Sequence, residues 1–447
     1  MKNIDLLVHA RWIIPVVEHN PVLENHCLVI HEGRIIDLLP SEEATAKYHA
    51  QIEHQYSNHA LIPGLINAHT HAAMTLLRGL ADDLPLMDWL NNHIWPAEGR
   101  WVSEEFIHDG TQLAIAEMLR SGTTCFNDMY FFPNVTARVA ANAGIRACIG
   151  MIVIDFPTVW AQSSDEYIEK GLALSDEYRG HALIRTALAP HAPYTVSDAP
   201  LKQLQMLSDQ MDLPVHMHVH ETSHEVEQAV STQGRRPLQR LQELGLLTPN
   251  LVAVHTTQLQ DDEIEQLSTL GCHVVHCPES NLKLASGFCP VEKLIQAGVN
   301  TALGTDGTAS NNDLDMFGEM RTAALLAKGV AGNAAALPAH TALRMATING
   351  AKALGLEQTT GSLEVGKSAD FVAVDFDVLE AMPVFDPVSH LVYSCGREQV
   401  ADVWVAGRHL LKDRMLTTLT EPQIRQNIMA WNGKICGSDS ACKLNPH

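Results

Sequence analysis

Eight short apolar segments, at 62–68, 123–128, 146–154, 183–190, 214–219, 251–255, 273–276 and 300–305, alternate with amphipathic stretches of helical period. Strands separated by helices pair in parallel and carry those helices on the outside, and eight such units over roughly 300 residues predict a closed (β/α)8 TIM barrel. A barrel of this kind presents its chemistry at the C-terminal ends of its strands. Here those ends read His69-Thr70-His71, Asn127-Asp128, Asp155, His191, His218-Val219-His220-Glu221, His255, His276 and Asp306. A random scatter of polar residues would rarely place a histidine or an acid at nearly every one.

The flanking sequence has a different pattern. Residues 4–58 contain short β segments at 6–8, 12–16, 27–30 and 34–38, with a hairpin turn at His31-Glu32-Gly33. Beyond the barrel, 361–367 and 369–375 read as two strands across a Gly-Lys turn, and 400–407 as another. Neither group can close a core alone, so residues 1–60 and 361–420 are expected to pair into one small β-sandwich beside a barrel at 61–360. In the remaining tail, 421–447, residues 421–435 have a helical pattern. That helix is expected to pack on the barrel or on a neighbouring subunit, which leaves a homo-oligomer open.

Charge excludes one class of partner. Lys plus Arg number 30 and Asp plus Glu 52, so 30 − 52 = −22, which opposes binding to a phosphate backbone and argues against nucleic acid. No apolar run approaches the length of a membrane span, and the start lacks a basic region followed by a long apolar one, so a cytoplasmic location is expected. Nine cysteines stand singly without a Cys-x-x-Cys pair, the usage of a reducing compartment rather than of a disulfide framework.

The stretch 62–71 carries the sharpest chemical signal. An apolar run passes a Pro-Gly turn and ends on His69 and His71, which alternate onto the same face of a strand and can reach one divalent metal. A further histidine from strand five and Asp306 from strand eight would complete a zinc site with a position open for water, and Asp306 suits the proton from that water. On strand five His216, His218 and His220 share a face. Pro214 puts His216 deep, and spacing leaves His218 and His220 as alternatives.

Five stretches carry a family resemblance: 63–71 (Pro-Gly-Leu-Ile-Asn-Ala-His-Thr-His), 218–222 (His-Val-His-Glu-Thr), Val254-His255, 276–284 (His-Cys-Pro-Glu-Ser-Asn-Leu-Lys-Leu) and 303–307 (Leu-Gly-Thr-Asp-Gly). Together they resemble the amidohydrolase superfamily and, within it, the 5-methylthioadenosine/S-adenosylhomocysteine deaminases, over essentially the whole chain. The resemblance selects His218 as the strand-five ligand, giving His69, His71, His218 and Asp306 around the metal. It makes Glu221 the carrier of a proton to the substrate ring, and Glu98 and His191 contacts to a nucleoside. Related enzymes with two metals bridge them by a lysine on strand four. None stands at 183–191, which implies one ion, most naturally Zn2+.

Deamination of a 6-aminopurine needs a hydroxide at C6, a proton at N1 and a proton on the departing amine. Glu221 fits the N1 role, His255 the orientation of the attacking water, and Asp306 the removal of its proton. The stretch from 77 to 96, with Trp89, Leu90 and Trp95, reads as an apolar lid over a purine, and Arg146 as scaffold at a strand entry. The expected substrates are 5′-methylthioadenosine, S-adenosylhomocysteine and adenosine. A triazine chlorohydrolase or a guanine or cytosine deaminase is the nearest alternative, and a barrel that binds metal and nucleoside without catalysis a remote one.

Overall fold

The structure is a computed structural model that describes residues 1–19 and 21–438. Eight parallel strands, Leu65–Thr70, Thr123–Met129, Arg146–Val153, Ile184–Pro190, Val215–Val219, Leu251–His255, His273–His276 and Asn300–Leu303, lie in sequence order in one sheet. Their residues are almost wholly buried, as expected where the barrel interior covers one face and helices the other. The last strand returns to the first: Asp306 N donates to the His69 carbonyl at 3.0 Å. Glycine is required at this seam, because a Cβ on Gly304 would stand 2.7 Å from His69 N. The seam thereby joins the two strands whose ends carry His69 and Asp306.

One expectation shifts at the first barrel strand. Residues 62 and 63 belong to the other sheet, as the end of a strand Tyr48–Pro63 that pairs with Phe371–Asp375, and the barrel strand starts only at Leu65. The Pro63-Gly64 step is the handover between sheets. Most of Tyr48–Pro63 gives no strand signal in the sequence, because its middle is polar and half-buried or exposed.

The second sheet also has eight strands, drawn from both ends of the chain. Phe371–Asp375 and Tyr48–Pro63 join the two contributions, and Leu28, Ile30, Phe371 and Trp404 share one core. Residues 361–367 are not a strand. Gly361 and Gly366 take φ of 89° and 95°, conformations that turn the chain rather than extend it. Arg146, at the foot of barrel strand three, ties the two sheets together through a buried pair with Asp370, Nε to Oδ2 2.9 Å.

The helix Glu421–Ser438 packs on helix Glu104–Arg120, where Trp431 Nε1 donates to Asp109 Oδ2 at 2.9 Å and stacks edge-on to Phe106. Among the described residues no helix is long and apolar enough to cross a membrane. Eight cysteines are free thiols, seven of them buried, and Cys442 lies outside the described residues.

Candidate active site

At the C-terminal rim of the barrel, ligand atoms from three strands converge. His69 Nε2 and His71 Nε2 lie 3.3 and 3.2 Å from Asp306 Oδ1, and His218 Nε2 lies 3.2 Å from His69 Nε2. The opposite ring nitrogens are taken. His71 Nδ1 donates to the Met129 carbonyl at 2.6 Å and His218 Nδ1 to the His191 carbonyl at 2.7 Å. Carbonyls only accept, so these rings carry their proton on Nδ1 and, when neutral, turn a bare lone pair inward from Nε2. His69 Nδ1 lies 2.9 Å from His216 Nε2, so this nitrogen too is engaged.

Lone pairs and a carboxylate oxygen crowded on one point repel each other unless a cation sits among them. The donor set of imidazole and carboxylate suits zinc. Two overlapping groups fit an ion, His69 with His71 and Asp306 and His69 with His218 and His255, each with ligand atoms within 4.8 Å of one another. Burial would lower His71, yet contact with Asp306 raises it to about 9, a second sign that the carboxylate demands positive charge nearby.

Asp306 is held on both oxygens. Oδ2 accepts from Ser280 Oγ at 2.6 Å and Ser310 Oγ at 2.9 Å, and Oδ1 from Gly307 N at 2.7 Å. Burial alone would raise its pKa, but the contacts with His69 and His71 hold it well below the usual carboxylate range. No helix starts at Gly307; the next is Met316–Ala331, so Asp306 is not a helix cap.

On strand five the three histidines do not share a face to the end. The strand stops at Val219, and His220 takes φ 53°, which swings its ring out of the alternation. Its Nε2 accepts from Leu238 N at 3.2 Å and its Nδ1 lies 3.7 Å from Glu263, so the structure brings His218 to the cluster and turns His220 away. His216 sits below and buttresses His69.

His71, His191, His218, Glu221, His255 and Asp306 line one pocket together with Glu98. Its far wall is the expected lid: Leu86, Trp89, Leu90, Ile94 and Trp95, on short helices between 86 and 101. Glu221 is buried, which raises its pKa above the usual carboxylate value. His255 Nδ1 lies 2.9 Å from Asn281 Oδ1, fixing the ring. Glu98, in the first turn of Trp95–Trp101, accepts from the Tyr130 hydroxyl at 2.6 Å, and burial pushes it up to about 7. His191 lies against His218, with Nδ1 3.0 Å from Thr195 Oγ1.

Some rim residues go elsewhere. Asp155 accepts from Ser197 N at 2.7 Å, and His276 borders a separate cavity on the outer side. Tyr130, His216, Ser280, Ser310 and Asn281 were not foreseen in any role. Two of them had a signal, since Ser280 and Asn281 lie inside the stretch 276–284 already singled out.

The amidohydrolase family model matches residues 60–410. A 5-methylthioadenosine/S-adenosylhomocysteine deaminase of Teredinibacter turnerae is 52% identical over 433 residues, covering 97% of this chain and 98% of its own. The crystal structure of an adenosine deaminase from Xanthomonas campestris with bound zinc superposes with a TM-score of 0.96 at 52% identity, over 97% of this chain and 99% of that one. An atrazine chlorohydrolase from Arthrobacter aurescens, complexed with zinc, superposes at 0.89 with 21% identity over 95% of this chain and 99% of its own, a likeness of fold alone.

Proposed function

The chain belongs to the amidohydrolase family, and from that premise we propose that it is a zinc-dependent hydrolytic deaminase of 6-aminopurine nucleosides. Its substrates are 5′-methylthioadenosine, S-adenosylhomocysteine and adenosine, converted to the inosine analogues with release of ammonia. The observation that carries the reading is one pocket lined together by His71, His218 and Asp306 of the cluster, a buried Glu221 and a second carboxylate, Glu98. His69, His71, His218 and Asp306 hold one zinc ion.

When bound, zinc supplies Lewis acidity that makes water nucleophilic near neutral pH. The side chains do the rest. Glu221, whose burial favours the protonated form, gives a proton to N1 of the purine and makes C6 electrophilic. His255, fixed through Asn281, orients the attacking water. Asp306 takes one proton of that water and passes it to the leaving amine, so the C6–N bond breaks as ammonia leaves; the remaining hydroxyl proton returns to Glu221 as the C6 carbonyl forms, and N1 keeps the proton that Glu221 gave it.

Glu98 reads the sugar. A carboxylate accepts two hydrogen bonds side by side and matches the adjacent 2′ and 3′ hydroxyls of a ribose, and His191 lines the same pocket. A triazine offers no such pair for the acceptor capacity that Glu98 has left beyond its hydrogen bond from Tyr130, which argues against the chlorohydrolase alternative. Trp95 borders both this pocket and a larger cavity of about 910 Å³, room that supports tolerance at the 5′ position.

Ammonia release assayed across adenosine, 5′-methylthioadenosine, S-adenosylhomocysteine, guanine, cytosine and a chlorotriazine tests the reading. Turnover of the three adenine nucleosides ahead of guanine, cytosine and the chlorotriazine is expected. Zinc binding without ammonia from any of them would leave only a binding barrel.

A further inference from the structure

The backbone around Glu221 is gripped from two sides by residues without a role in the chemistry above. Strand five ends at Val219, and His220 turns through the left-handed region at φ 53°, a conformation that persists in a non-glycine residue only where its surroundings impose it. On one side stands Glu225. Its carboxylate accepts from His220 N at 3.2 Å through Oε1 and from Glu221 N at 2.7 Å through Oε2. On the other stands Thr257, whose N donates to the His220 carbonyl at 2.9 Å and whose Oγ1 donates to the Glu221 carbonyl at 2.7 Å. Two residues thus occupy all four backbone polar groups of positions 220 and 221.

Helix capping alone does not require this arrangement. Thr222 caps helix Ser223–Gln233, accepting from Glu225 N at 3.2 Å, and in an ordinary capping box Glu225 would return to the N–H of Thr222 itself. Instead its carboxylate reaches past the cap to the two residues before it. Thr257 has its own accommodation, because a Cβ on Gly287 would come within 2.9 Å of Thr257 Oγ1. Both clamp residues are buried.

We propose that Glu225 and Thr257 are positioning residues, a clamp that fixes the turn at His220-Glu221 so that the Glu221 carboxyl meets the substrate ring at hydrogen-bond distance. The inference rests on Glu221 as the proton carrier. A proton donor works only within about 2.6–3.2 Å of its acceptor, and a shift of about 1 Å can cost on the order of 10²-fold in rate.

The test compares Glu225→Ala, Glu225→Gln, Thr257→Val and Thr222→Ala for kcat and KM on 5′-methylthioadenosine, zinc content, Tm and amide hydrogen exchange at positions 220 and 221. Glu225→Ala should lower kcat by on the order of 10²-fold with zinc content and KM near wild type, and should speed exchange at both amides. Glu225→Gln keeps one acceptor and should recover part of the rate; it carries the test if the alanine variant does not fold. Thr257→Val should lose less. Thr222→Ala removes only the helix cap and should lower Tm with little change in kcat. Unchanged kcat and exchange in Glu225→Ala, or an equal loss of kcat in Thr222→Ala, would overturn the clamp. Failure of the deaminase reading is separable, since it appears in the wild-type protein as absent ammonia release while the exchange comparison still decides the clamp.

Discussion

Two buried polar clusters occupy opposite ends of the same barrel, and they differ in whether their charges close. At the foot, Asp370 receives Arg146 Nε at 2.9 Å and Nη2 at 3.3 Å, Ser368 Oγ at 2.7 Å and Ala406 N at 2.6 Å, while Arg146 Nη1 donates to the Ala182 carbonyl at 2.9 Å. Donors and acceptors match. At the rim, Asp306 faces His69 and His71, and His218 lies against His69; the other nitrogens of these rings are already engaged, so acceptors outnumber donors. A buried ion pair that satisfies itself needs no charge from outside the chain, and is costly only when one partner is removed. A buried cluster short of positive charge is built for something the chain does not encode.

Substitutions can break that contrast, and the largest effect belongs at the rim. Glu221→Gln keeps the shape and removes the titrating proton, so kcat should fall roughly 10²–10⁴-fold with zinc retained. Loss of zinc in that variant would make Glu221 a ligand. At the foot the expected effect is on stability: Arg146→Ala strands a buried Asp370 carboxylate and should cost about 3–5 kcal/mol in denaturant unfolding, while the folded protein keeps its kcat. A catalytic defect there would dissolve the distinction between the two ends.

Smaller effects sharpen the rim itself. Glu98→Ala should lose about 1.5–3 kcal/mol of kcat/KM on ribosides, the range for hydrogen bonds to a charged group, with 2′-deoxyadenosine affected less. Unchanged riboside kinetics would remove the sugar-reading role and leave the zinc chemistry intact. The smallest concerns pH. Burial raises Glu98 to about 7, so it is neutral below that pH and gains its full accepting capacity above it. Riboside kcat/KM should therefore contain a rise through about pH 7 that Glu98→Gln abolishes.

The barrel was legible because its strands are short apolar runs with polar ends, a pattern that survives without any tertiary information. Tyr48–Pro63 was not, since half-exposed polar alternation looks like loop. Strand five shows the limit at the site. Side-chain alternation put His216, His218 and His220 on one face, but the left-handed turn at His220 is imposed by Glu225 and Thr257, one of them 37 residues further on. Only the family resemblance separated His218 from His220. Tyr130 and Ser310 carried no signal at all, because a hydroxyl's role depends on which carboxylate the fold sets beside it.

The most direct measurement is zinc titration of chelator-stripped protein, following ammonia release from 5′-methylthioadenosine alongside bound metal. Stripping should abolish turnover, and activity should return in proportion to zinc up to one ion per chain in the wild type and in His220→Ala, while His218→Ala binds zinc poorly and stays inactive. Turnover that survives stripping, or that returns in His218→Ala but not in His220→Ala, would contradict the account.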